Sequence, residues 1–141
     1  MVDINVVYEG DLHCNAQHGP SAVILATDAP VDNRGRGESF SPTDLVATGL
    51  GTCMATTMGI VAKDRGYPIE GAKIHVKKHM TAAPPRRIAR LAVRIEMPAA
   101  TAGLDEAARH DLEHTAHTCP VRISLLDAIE VPIDFTWPER R

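Results

Sequence analysis

The sequence predicts an α+β protein forming one domain over residues 1–141. Three observations carry that expectation. Short β-rich runs bounded by turn residues flank a single long uncharged stretch, Leu45 to Ala62. The predicted order of elements, β-β-α-β-β-α-α-β, lacks the strict alternation of a doubly wound parallel sheet. At 141 residues the chain fits one domain and can bury a little under ~70% of the surface it exposes when unfolded, enough for one core.

The elements follow from the residues in order. "INVVYEG" (4–10) and "SAVILATDA" (21–29) read as strands, and "NAQHGP" (15–20) between them has turn composition. "VDNRGRGESFSP" is a polar, glycine-rich loop. At "SPTDL" a helix begins: Ser41 suits the N-cap, Pro42 the first helical position, and Asp44 in the first turn complements the helix dipole. The helix is expected to end at Asp64 or Arg65, with Gly66 as the left-handed residue beyond it and Pro68 barring continuation. Because Leu45–Ala62 carries no charge, this helix is expected to be buried on nearly all sides. Its 18 residues lie at the lower edge of the ~17–25 needed to cross a bilayer, but four threonines and three glycines argue for a core helix, and no membrane association is expected.

"AKIHVKKHM" and "RIARLAVRIEM" alternate polar and apolar residues and read as two antiparallel strands joined by "TAAPPR". "GLDEAARHDLEHTAH" has helical period, Pro120 opens a short helix in "PVRISLLDA", and "IEVPIDFTW" is a last strand that Pro132 confines to an edge or a bulge.

Composition excludes several functions. Aromatic residues make up 4% of the chain and the net charge is −3, so neither stacking platforms nor a basic footprint for nucleic acid is present. Three cysteines, Cys14, Cys53 and Cys119, without CxxC spacing suggest neither a disulfide scaffold nor a zinc ribbon. The N-terminus lacks the pattern of a signal peptide, so a cytoplasmic protein with reduced thiols is expected.

Two of the cysteines stand where chemistry is plausible. Cys53 lies mid-helix on a side made small by Gly49, Thr52 and Thr56, which another backbone or a ligand can approach. Taken alone, Cys53 reads first as a buried cysteine that merely fills space, since free cysteine is among the most buried residue types. Cys119, just before Pro120, sits at a helix N-terminus, where orphan N–H groups and the dipole are expected to lower a thiol pKa.

"SPTDLVATGLGTCMATTM" followed by "HTCPV" resembles the OsmC/Ohr family of thiol peroxidases, and the resemblance extends over nearly the whole chain. It implies an intertwined homodimer whose long cysteine-bearing helices are wrapped by antiparallel sheets from both chains. It also implies organic hydroperoxide or hydrogen peroxide as substrate and a lipoyl-type or thioredoxin-like dithiol as reductant, with no cofactor and no metal. By the same resemblance Cys53 attacks the peroxide and becomes a sulfenic acid, and Cys119 resolves it into a disulfide. The chain departs from the peroxidase pattern where that pattern places a glutamate ten residues before the first cysteine: here Thr43 stands, with Asp44 next to it. The early strands offer His13 and His18 instead of the arginine that such a glutamate would hold, and Arg34 and Arg36 are the nearest substitutes. Thr43, Asp44, His13, Arg34 and Arg36 are therefore candidate activating or substrate-binding residues. A different function, a non-catalytic relative binding a small apolar ligand, fits the same departures.

The remaining motifs read more plainly. "HDLEH" matches the inverted zinc-protease pattern, but His110, His114 and His117 fall opposite the apolar side of their helix and are expected to face solvent. Cys14 reads as a bystander, and "PPRR" as a solvated hairpin tip.

Overall fold

The computed structural model describes residues 1–140 as two compact units, one from Met1 to Val46 and a second beginning at Ala47. In the first, β1 (Ile4–Gly10), β2 (His13–His18) and β3 (Ile24–Asp28) form an antiparallel meander in the order β1-β2-β3. β2 corrects the sequence reading, because it occupies much of the segment taken as a turn. The chain instead reverses at Asp11–Leu12, both at positive φ (51° and 61°), and again before Ala22 (φ 59°). Pairing on both sides holds a polar strand extended where its own composition would not. Three strands, not two, therefore precede the long helix.

That helix, α1 (Pro42–Arg65), begins and ends as its sequence predicts. Ser41 N–H donates to Asp44 Oδ2 (2.9 Å) and Asp44 N–H to Ser41 Oγ (3.1 Å), a reciprocal capping box. At the other end Gly66 takes φ 74° and Tyr67 N–H reaches back to the Ala62 carbonyl at 2.9 Å, a Schellman closure.

The second unit holds the core. β4 (Lys73–Met80), β5 (Ile88–Glu96) and β6 (Ile133–Thr136) form a sheet in that order, antiparallel between β4 and β5 and parallel between β5 and β6. A parallel neighbour needs a crossover, which here contains α2 (Glu106–His117) and α3 (Pro120–Ser124). Pro132 sits just before β6, which is an edge strand as expected. Leu50, Met54 and Met58 of α1, Leu91, Val93 and Ile95 of β5, and Leu112 and Ala116 of α2 form one buried cluster. At Gly51 an added Cβ would lie 3.0 Å from Val76 Cγ2, so the missing side chain lets the helix lie this close to β4.

Within the single chain α1 is not buried on nearly all sides, contrary to expectation. Its buried residues, Ala47, Leu50, Gly51, Met54, Met58 and Ala62, form one stripe, while Ile60 on the far side is 63% exposed. The lack of charge reported on residue type, not on what the chain itself covers. By length and composition α1 could cross a bilayer, yet a third of that window is buried within the chain.

Replacing Leu50 by alanine removes a fully buried side chain and is expected to cost about 2–5 kcal/mol in urea-induced unfolding. Lys77→Ala on the exposed side of β4 should change stability by less than about 0.5 kcal/mol.

Candidate functional site

Two of the three cysteines meet in the second unit. Cys53 is half-buried in the middle of α1, packed against the core cluster. The open side of the helix leaves it partly accessible, between the buried and the approachable positions that its sequence allowed. Cys119 is 1% exposed and is the N-cap of α3, with Pro120 at the first helical position as predicted. Its Sγ accepts the Arg122 N–H at 3.4 Å. The Cys53 and Cys119 thiols lie close enough to interact electrostatically, and both cysteines are free.

The electrostatics run against one expectation. The Cys119 thiol pKa is raised, not lowered: burial is the main cause, and the interaction with the Cys53 thiol adds to it. The N–H groups of Arg122 and Val121 pull the other way and do not overcome the desolvation. A helix N-terminus favours a thiolate only where water or a counter-charge keeps the cost of burial small.

The other candidate residues lie in the first unit. His13 Nδ1 is 2.6 Å from Asp28 Oδ1, directly across β2 and β3. Its pKa is raised, first by this hydrogen bond; burial opposes the shift, and the charges of Asp28, Glu9 and Glu38 support it. Arg36 shares with this pair a cleft of about 260 Å³, whose other walls are Glu9, Asp11 and Glu38. Arg34 lies on the same loop in a left-handed conformation (φ 68°). Thr43 and Asp44 are engaged at the start of α1: Thr43 Oγ1 is 3.2 Å from Ser41 Oγ, and Asp44 closes the capping box. Asp28 is the residue that sequence reasoning missed. Its signal was concealed in β2: once "HCNAQH" is recognised as a strand, His13 and Asp28 stand opposite.

Cys14 is half-buried on β2, between Tyr8 and Thr27. His110, His114 and His117 are exposed, and His110 and His114 stack with ring centroids 6.4 Å apart. Glu113, the would-be base of the zinc-protease pattern, accepts the Trp137 indole N–H at 2.8 Å. Among the described residues no three His, Cys, Asp or Glu side chains gather around a metal position.

The chain is thus an α+β protein that carries one cysteine on a long helix and brings a second to it from the head of a short one. The OsmC-like protein family matches residues 35–134. A crystal structure from Psychrobacter arcticus 273-4, provisionally described as an osmotic stress induced and detoxification response protein, is 40% identical with a TM-score of 0.88, covering 96% of each chain. The organic hydroperoxide resistance protein OsmC of Legionella pneumophila superposes with a TM-score of 0.75 at 17% identity, again over 96% of each chain. An organic hydroperoxide resistance protein of Elizabethkingia anophelis, crystallised with thiocyanate bound, gives a TM-score of 0.76 at 15% identity over 98% of this chain and 96% of its own. No curated protein sequence matches significantly. This chain belongs to the OsmC family.

The two thiols should separate under alkylation. With iodoacetamide in native buffer, Cys53 should be modified at least about tenfold faster than the buried, less acidic Cys119, and peptide mass spectrometry would read the order. As pH rises, labelling of Cys119 should continue to accelerate beyond the point where an ordinary thiol levels off.

Proposed function

We propose that this protein is a cysteine-based peroxidase for organic hydroperoxides or hydrogen peroxide, serving oxidative-stress defence. The observation that carries the reading is the pair of free, mutually interacting thiols, Cys53 and Cys119. The Cys53 thiolate attacks the O–O bond, one oxygen stays on sulfur as Cys53–SOH, and the other leaves as an alcohol or water after taking up a proton. The Cys119 thiol then attacks the sulfenic sulfur, giving the Cys53–Cys119 disulfide and one water. A dithiol reductant, lipoyl-type or thioredoxin-like, restores both thiols and is itself oxidised to a disulfide. The half-open side of Cys53 suits attack on an incoming peroxide. The buried Cys119 suits a group that stays protonated until the sulfenic acid forms. The names of the Legionella and Elizabethkingia proteins support the substrate class. Arg34, Arg36, His13, Thr43 and Asp44 are proposed as the groups among which an activator of Cys53 is to be sought.

We propose further that the working form is a homodimer in a reducing cytoplasm. Members of the family are generally dimeric. Apolar surface left open within each unit supports the assembly: Ile4, Val6, Tyr8 and Ile24 on the first sheet, and Ile60 on α1. At Gly49 and Gly59 an added Cβ would meet nothing within 4 Å, although mid-helix glycine costs about 1 kcal/mol relative to alanine. A second chain approaching α1 gives those glycines a purpose. One observation favours the alternative reading, a binder of small apolar ligands: a cleft of about 700 Å³ beside the C-terminal half of α1, lined by Ala55, Gly59, Ala62, Tyr67 and Ile69 among others.

Peroxide consumption by the reduced protein, with cumene hydroperoxide as substrate and dihydrolipoamide as reductant, tests the peroxidase. Cys53→Ser should abolish turnover. Cys119→Ser should reduce a single cycle little but stop sustained turnover by at least about 100-fold, leaving sulfenic acid that dimedone traps. Absence of turnover in the wild type, with Cys53 no faster towards peroxide than Cys14, would sink the reading and leave the ligand-binding alternative.

A further inference from the structure

The first unit contains a titratable pair whose geometry carries an inference apart from the activator role for which His13 is a candidate. Asp28 is 7% exposed, yet its carboxylate faces only one cationic partner on its own sheet, the His13 ring, itself about one-third exposed. The pair closes the last rung of the β2–β3 ladder. The loop that leads to α1 folds back on this rung. Asp28 N–H donates to the Phe40 carbonyl (3.1 Å), Gly37 N–H to the Ala29 carbonyl (3.3 Å), and Ser39 Oγ to the Ala26 carbonyl (2.9 Å). At Gly35 the return is so tight that a Cβ would sit 1.6 Å from the Ala29 oxygen. Residues 28 and 29 therefore anchor a loop that carries Arg34 and Arg36.

We propose that His13 and Asp28 form a proton-operated clasp that holds the loop between β3 and α1. The charged groups that line the cleft around His13 come from every adjoining element: Glu9 from β1, Asp11 from the hairpin turn, Asp28 from β3, and Arg36 and Glu38 from the loop. Four are acids and one is a base. A protonated His13 balances the buried carboxylate. When the ring loses its proton, the buried Asp28 side chain is left among three further acids, with Arg36 the one cation lining the cleft among the described residues. The strain falls on the residue whose backbone anchors Phe40. The His13 pKa is raised above 6.5, so the clasp is fully closed below that pH and opens as pH climbs through the raised value. The test of this device reads only the order of the loop, so it stands or falls separately from the peroxidase reading.

Hydrogen exchange read by mass spectrometry on the full-length protein tests it, with labelling times scaled for the intrinsic pH dependence of amide exchange. Peptides covering residues 29–40 should exchange about threefold faster or more at about pH 8.5 than at about pH 6 in the wild type. In His13→Gln, which retains a hydrogen-bond donor without a titrating charge, the corrected rates should be the same at both pH values. A flat profile in the wild type, or the same rise in His13→Gln, would overturn the clasp. An NMR titration of the His13 ring in the wild type supplies a readout that needs no variant. A midpoint above 6.5 supports the pairing, and one at or below 6.5 overturns it.

Discussion

The second unit depends on how closely α1 can lie against its sheet. Leu50, Met54 and Met58 supply the apolar stripe, and Gly51 removes the Cβ that would otherwise meet Val76. Each fully buried aliphatic side chain contributes about 1.5–3 kcal/mol, so these contacts outweigh the cost of a glycine in mid-helix, about 1 kcal/mol. Once the stripe is seated, the helix has no rotational freedom. Cys53 follows from that: one residue before Met54, it comes to rest at the border between the buried stripe and the open side. The position is half dry and half accessible, which suits the nucleophilic role proposed for it.

The chemistry of the thiol pair is a contest between two local fields. The head of α3 offers Cys119 backbone N–H groups and a dipole worth roughly 0.3–1 kcal/mol at an exposed site. Withdrawing a thiolate from water costs several kcal/mol in the absence of a counter-charge. The larger effect wins, and Cys119 is left less acidic than a free thiol. The asymmetry follows from position alone, since the two side chains are chemically identical. It divides the labour of the proposed cycle, one thiol meeting the oxidant and the other waiting behind it.

The first unit is held together differently. Its meander buries few side chains of its own: Thr27 and Asp28 are buried there and Ser41 at the head of α1, while Ile4, Val6, Tyr8 and Ile24 stand open. Three strands stable in water ordinarily need an apolar face covered by something else. Hydrogen bonding does much of the local work, through the β2–β3 ladder, the His13–Asp28 pair and the capping box that starts α1.

Much was legible in the sequence because it depends on neighbours along the chain. Ser41, Pro42 and Asp44 announce the start of α1, and Gly66 announces its end, through groups that act over three or four residues. The alternation of 73–80 and 88–96 likewise reports a sheet with one face turned to a core. The motif around Cys53 and the Cys119–Pro120 step marked both thiols and their likeness to the OsmC family. What the sequence could not supply were quantities set by residues far apart. β2 is a strand because β1 and β3 pair with it, against its own composition. Asp28 matters because it lies across from His13, fifteen positions away. The direction of the Cys119 shift depends on how much water the folded chain excludes, and the breadth of the buried stripe on α1 depends on which neighbours reach it. Propensities and caps are local and can be read from the chain; desolvation and strand pairing are properties of the packed whole, and only the tertiary structure decides them.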